Sequence, residues 1–246
     1  MFGPSIGLYG DSFGTGSLPK IDGNYDIGFN YHWSKIIENQ YSCKITNYCE
    51  SGASVYYAYK KFIETHHLHD INIFLITTFG RYSHEINLEI NGKHRIVNLA
   101  HLLTYFDYKN LTKKDIELLN NLKGWYTCID DTEQKDIEEL MVEKVLKLRP
   151  DTIHIPCMDW LSNKYSLCNN PKMTLFELYV NQQQQLNLNN TNVKENTCWI
   201  SGHFTPEFNQ LFASFLQTKI DTGYWETWNI PKIQFGPNVK EYFIST

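Results

Sequence analysis

A hydroxyl and an imidazole stand near opposite ends of this chain, each in a setting that suits nucleophilic catalysis. Ser12 follows Gly10-Asp11 at the end of the apolar run Ile6-Gly7-Leu8-Tyr9. His203 stands just before Thr205-Pro206-Glu207, a strong helix start. A serine becomes a useful nucleophile only when a base within hydrogen-bond reach takes its proton. A helix N-terminus beside a histidine disfavours the imidazolium, and a neutral ring is what a base needs. The bland alternatives are a Ser12 that caps a turn and a His203 that is an ordinary loop residue. Asp11 is expected to shape the turn rather than to move protons.

For these two groups to meet, the elements between them must bring both ends of the chain to one place. An open sheet of parallel strands does so, because all strand C-termini face one edge. Apolar runs predict strands at 5–9, 43–47, 71–77, 152–156 and 198–200. Helical spacing predicts helices over 30–40, 54–65, 112–122, 131–147, 173–186 and 206–217. Strands alternating with helices imply a three-layer α/β/α sandwich around a mostly parallel five-stranded sheet, of flavodoxin-like type. Residues 83–127 break the rhythm and read as an insertion near the active edge. Within them, Asn91-Gly92 between alternating runs predicts a two-residue hairpin turn. Residues 218–246 read as a C-terminal wrapping tail, so the whole chain, 1–246, forms one domain.

The run Gly10-Asp11-Ser12-Phe13-Gly14 also fits the literal pattern G-x-S-x-G. A nucleophile elbow needs a helix directly after the strand, and the glycines at 14 and 16 argue for a loop. The first strand is also too early in the chain for that fold. An ordinary α/β-hydrolase is therefore set aside.

The 246 residues are 42% hydrophobic and 15% aromatic, ample for a core. A net charge of −5 with interspersed signs excludes a nucleic-acid-binding surface. No apolar run approaches the length of a membrane span. No basic, apolar leader opens the chain, so the expectation is a cytoplasmic or virion-associated protein. The 6 cysteines show no regular framework. Cys157 and Cys198, at strand ends, are expected to be buried and reduced. His66, His67 and His69 cluster without a carboxylate or thiol at metal-ligand spacing, and no metal is expected. His154 is expected to be a satisfied core histidine.

Gly10-Asp11-Ser12-Phe13 resembles the first conserved block of the SGNH (GDSL-type) hydrolases. Asn47-Tyr48-Cys49-Glu50-Ser51-Gly52-Ala53-Ser54 is similar to the second. Ser201-Gly202-His203-Phe204-Thr205-Pro206-Glu207 resembles the last. The resemblance runs from about residue 5 to about residue 217. It implies Ser12 as nucleophile, His203 as base, and the amides of Ser12 and Gly52 as oxyanion donors. Without a Cβ, Gly52 allows close approach to a developing alkoxide; otherwise it is a helix-entry glycine. Two departures are visible. The strand 71–77 is not followed by the family's Gly-x-Asn, and Arg81 is the candidate substitute, unless it is a surface residue paired with Glu85. Thr78 is a lesser candidate. Ile200 occupies the position of the family's aspartate. The imidazole is then oriented by a backbone carbonyl, giving a dyad, or by an acid such as Asp159.

The expected activity is that of a serine esterase acting through an acyl-enzyme, without cofactor or metal. Its substrate would be a small-molecule or glycan ester. Tyr105, Tyr108, Trp125, Trp160, Tyr224, Trp225 and Trp228 would suit stacking on sugars, which puts O-deacetylation of a carbohydrate slightly ahead. The alternative is a non-catalytic binding or structural domain that keeps the fold.

Overall fold

Strands buried on both faces set the architecture. The structure is a computed structural model; it describes residues 3–15, 32–50, 53–77, 85–90, 93–98, 112–126, 131–157, 174–185, 204, 206–225, 230 and 232. Strand β1 (Ser5–Tyr9) sends Ile6 and Leu8 to one face and Tyr9 to the other; β3 (Ile71–Ile76) likewise divides Ile73 and Leu75 from Phe74 and Ile76. Side chains that alternate in this way need cover on both faces. With β2 (Lys44–Asn47) and a strand at Ile153–Pro156 they make a parallel sheet.

One face is covered by α2 (Trp33–Tyr41) and α7 (Pro206–Thr222), the other by α3 (Val55–Thr65) and α5 (Asp131–Leu148). Each covering helix buries a stripe at helical spacing. Trp33 and Ile37 serve α2; Phe208, Phe212 and Leu216 serve α7. A fully buried side chain of this size contributes about 1.5–3 kcal/mol. The remaining elements are a one-turn α1 (Ser12–Thr15), a 3-10 turn (His66–Leu68), a hairpin of β4 (Glu85–Ile90) and β5 (Lys93–Asn98), α4 (Lys113–Tyr126) and α6 (Leu175–Gln185). With the hairpin counted, Ile153–Pro156 is β6, and the order across the main sheet is β2-β1-β3-β6. The result is the α/β/α sandwich expected.

Local chemistry explains where the helices start. The His32 ring accepts the Ser34 amide at the head of α2, and the Ser54 hydroxyl accepts the Tyr57 amide at the head of α3. Pro206, which has no amide hydrogen to lose, opens α7.

Three sequence expectations can be set against these elements, and one of them needs adjustment. The described sheet has four strands; the expected fifth, 198–200, lies outside the described residues. Helix α7 runs on to Thr222, past the expected start of the tail, and Trp225 and Ile230 beyond it pack against the core. The hairpin forms as expected, antiparallel, with β4 and β5 on either side of 91–92. Among the described residues, no helix is long and apolar enough to cross a membrane. Cys157 is buried, as expected, and its thiol donates to the Ile155 carbonyl at 3.7 Å, while Cys198 lies outside the described residues.

His154, in β6, is not the satisfied histidine its strand suggested. Its Nε2 is sealed from water and finds no hydrogen-bond partner among the described residues. Burial pushes its pKa down to about 4 from an ordinary 6.5; a bond with the Thr152 backbone opposes the shift, and the Lys219 charge adds to it. The unfolded chain therefore takes up a proton between those values that the folded chain refuses. Stability should fall as pH drops from about 6.5 towards about 4, by about 1–3 kcal/mol from this group. Urea unfolding at pH 7 and pH 5 should show that loss in the wild type and a smaller one in His154→Phe. An identical loss in both would remove His154 as its source.

Candidate active site

The turn that carries Ser12 is built by its neighbours. At Gly10 the backbone φ is +155°, and a Cβ there would lie 2.5 Å from Cβ of Leu75 on β3. Only glycine lets β1 end this close to β3. The next residue, Asp11, is fully buried. One carboxylate oxygen accepts the Phe13 amide at 3.1 Å, and the other accepts the Thr77 hydroxyl in a very short bond. The Gly14 amide closes onto the Asp11 carbonyl at 3.0 Å. Asp11 is thus the cap of a single helical turn, which corrects the expectation of a loop directly after the strand. Glycine at 14 did not prevent a helix because one turn suffices, and its missing Cβ is needed: a methyl group there would overlap Sγ of Cys49.

The chain after β2 holds the same turn from the other side. Asn47 donates its side-chain amide to the Gly14 carbonyl at 2.6 Å and accepts the Cys49 amide at 2.9 Å. The Glu50 amide donates to the Gly10 carbonyl at 3.2 Å. The Ala53 amide donates to the Glu50 carbonyl at 3.0 Å, on the far side of 51–52. Burial, with the Asp11 carboxylate nearby, pushes the Cys49 thiol well above its ordinary pKa, so it stays a neutral packing group.

A third set of contacts ties this turn to the C-terminal part of the chain. The Phe13 carbonyl accepts the Trp33 indole Nε1–H at 3.0 Å and His32 Nε2–H at 3.0 Å. Because His32 Nδ1 accepts the Ser34 amide, the proton sits on Nε2. The Phe13 ring packs on Phe204, with centroids 6.3 Å apart, and Phe204 packs on Phe208 and Phe212 of α7. Asn209 joins the two ends: its Oδ1 accepts the Trp33 amide at 3.0 Å and its Nδ2 donates to the Phe204 carbonyl at 2.9 Å.

Of the sequence-predicted site residues, Ser12 is placed by its backbone at the first position of α1, and its side chain lies outside the described residues. Gly52, Arg81 and His203, with Thr78, Asp159 and Ile200, also lie outside them. What the structure brings together is their flanks. Phe13 follows Ser12, Phe204 follows His203, Glu50 and Ala53 flank the segment containing Gly52, and Thr77 precedes Thr78. All of these gather at the C-terminal edge of the sheet, where Tyr9 aligns with Phe74 and Leu8 with Asn47. Trp33, His32 and Asn209 were not singled out as site residues in the sequence. Trp33 carried only the signal of a helix stripe.

No family model and no curated protein matches this chain. Among solved structures, it is similar to a member of the lipolytic protein G-D-S-L family from Veillonella parvula DSM 2008. The identity is 14%, the match covers 89% of this chain and 97% of that one, and the TM-score is 0.34. It is similar also to the acetyl xylan esterase AlAXEase, at 8% identity over 88% of this chain and 99% of that one, with a TM-score of 0.38. LAE5, an alpha/beta hydrolase enzyme from the metagenome of Lake Arreo, Spain, is 12% identical over 92% of this chain and 98% of that one, with a TM-score of 0.37. Likenesses this distant do not assign a substrate.

Proposed function

We propose that this chain is a serine esterase of the SGNH type. The observation that carries the reading is the Phe13–Phe204 contact, with ring centroids 6.3 Å apart. The contact joins the residues that directly follow Ser12 and His203 in the chain, which supports a meeting of the two ends at one edge of the sheet. Ser12 attacks the ester carbonyl while His203 takes its proton. The amides of Ser12 and Gly52, helped by Arg81, hold the oxyanion that develops. His203 returns the proton to the departing alcohol, and an acyl group remains on Ser12. Water, activated by the same imidazole, then releases the acid. Asp11 has a different task, since its buried carboxylate is engaged in the turn. His203 is oriented by a backbone carbonyl in a dyad, or by Asp159 in a triad.

The proposed substrate is a short acyl ester or an O-acetyl group on a carbohydrate. Among the aromatic residues considered for sugar stacking, Trp225 is partly buried against the core, whereas Tyr224 is 77% exposed. Tyr224 is the more open of this pair to a ligand.

The test is covalent. Incubation with a fluorophosphonate probe, followed by peptide mapping, should give one adduct, on Ser12. An intact, folded protein that takes up no probe would favour a binding or structural domain without catalysis, and an adduct elsewhere would remove Ser12 as the nucleophile.

A further inference from the structure

We infer that Asn209 is a positioning residue for the proposed Ser12–His203 pair, acting through Phe204 and Trp33; this rests on the esterase reading above. Asn209 is 7% exposed, and each arm of its amide reaches a backbone atom of a different segment. One arm accepts the first amide of α2, which has no partner within its own helix. The other donates to the carbonyl of Phe204, the residue that follows His203. Trp33 carries the connection onward, because its indole donates to the carbonyl of Phe13, the residue that follows Ser12. His32 donates to that same carbonyl.

The chain of contacts therefore runs from the residue after the base to the residue after the nucleophile through buried and partly buried groups. Each link is directional. A hydrogen bond weakens steeply away from its preferred geometry, so the linked backbones hold a set spacing. The Phe13 and Phe204 rings fill the space between them. Proton transfer needs donor and acceptor within hydrogen-bond reach. A displacement of about 1 Å at such a pair can cost about a hundredfold in rate. An apolar residue at 209 would preserve much of the volume but would leave the Phe204 carbonyl without this anchor.

The control is a second buried amide of the same kind at the opposite edge. Asn72 is 1% exposed, accepts the Tyr9 hydroxyl at 3.2 Å and donates to the His66 carbonyl at 3.2 Å. Its loss should cost stability without touching the pair. Three variants are compared with the wild type: Asn209→Leu, Asn209→Asp and Asn72→Leu. Asn209→Asp keeps an acceptor for the Trp33 amide and loses the donor to Phe204, so it separates the cap of α2 from the anchor. The readouts are the rate of fluorophosphonate labelling, kcat and KM for p-nitrophenyl acetate, and thermal melting.

The expected result is a fall of about ten- to a hundredfold in labelling rate and kcat for both Asn209 variants. KM should stay within about twofold, since substrate binding is not the interaction removed. Asn72→Leu should melt earlier and keep its kcat. If Asn209→Leu does not fold, Asn209→Asp decides. Asn209 variants that fold and label at the wild-type rate would overturn the inference and leave the esterase reading standing. An Asn72→Leu protein with an equal loss of kcat would overturn it too, by showing a general effect of destabilisation. Wild-type protein that never labels would remove the esterase reading and this inference with it.

Discussion

Ser12→Ala should lower the hydrolysis of p-nitrophenyl acetate by a factor of about 10³ or more, with the fold intact. Removing a nucleophile that works as a unit with its base leaves only what binding and oxyanion contacts supply. The substitution is clean for a structural reason. The turn holding residue 12 is fastened by the Asp11 carboxylate, the Gly14 amide and the Asn47 side chain. Alanine is the best helix former, so α1 accepts it at its first position. Melting should therefore stay near that of the wild type while turnover disappears. A Ser12→Ala protein that keeps a tenth of the wild-type rate would rule out Ser12 as the nucleophile. His203→Gln provides the companion measurement, and its turnover should fall with that of Ser12→Ala.

Gly10→Ala should destabilise the protein by about 2–6 kcal/mol. Two costs combine. A φ of +155° is a conformation L-residues rarely adopt, and such strain is worth about 1–3 kcal/mol. The new methyl would lie 2.5 Å from Leu75 Cβ and 2.9 Å from its Cγ and Cδ1, and forced overpacking adds about 1–3 kcal/mol. Urea unfolding at pH 7 measures the sum. Because Gly10 also accepts the Glu50 amide, a shift here moves the Ser12 turn and the segment before Gly52 together. Turnover should fall with stability. A double variant with Leu75→Ala removes the contacts to Cγ and Cδ1 and keeps the one to Cβ, so its loss should be smaller than the sum of the two single losses by only part of the overpacking cost. A Gly10→Ala protein within about 1 kcal/mol of wild type would show that β1 can end elsewhere.

Much of the fold could be read from local pattern. The strand at 5–9 follows from a short apolar run and the helices over 54–65 and 131–147 from helical spacing, both of which the sequence displays directly. Errors came where a local rule met a tertiary demand. Glycine at 14 read as a loop signal, yet its missing Cβ makes room for Cys49 beneath one turn of helix. His154 read as a satisfied core residue, yet β6 leaves its Nε2 without a partner among the described residues.

The candidate site divides in the same way. Residue type and neighbours alone marked Ser12 and His203, because a hydroxyl at a strand end and an imidazole before a helix start are local signals. The chain also announced that Asp11 would shape the turn. Nothing in the sequence announced that Thr77 would bond Asp11 across 66 positions, or that Asn209 would bond Trp33 across 176. Such pairs leave no periodic trace, since each is one polar side chain whose partner is chosen only when sheet and helices pack. Local periodicity and turn chemistry are written residue by residue, whereas a bond between distant segments exists only once burial has removed water and left each polar group to find its partner within the protein.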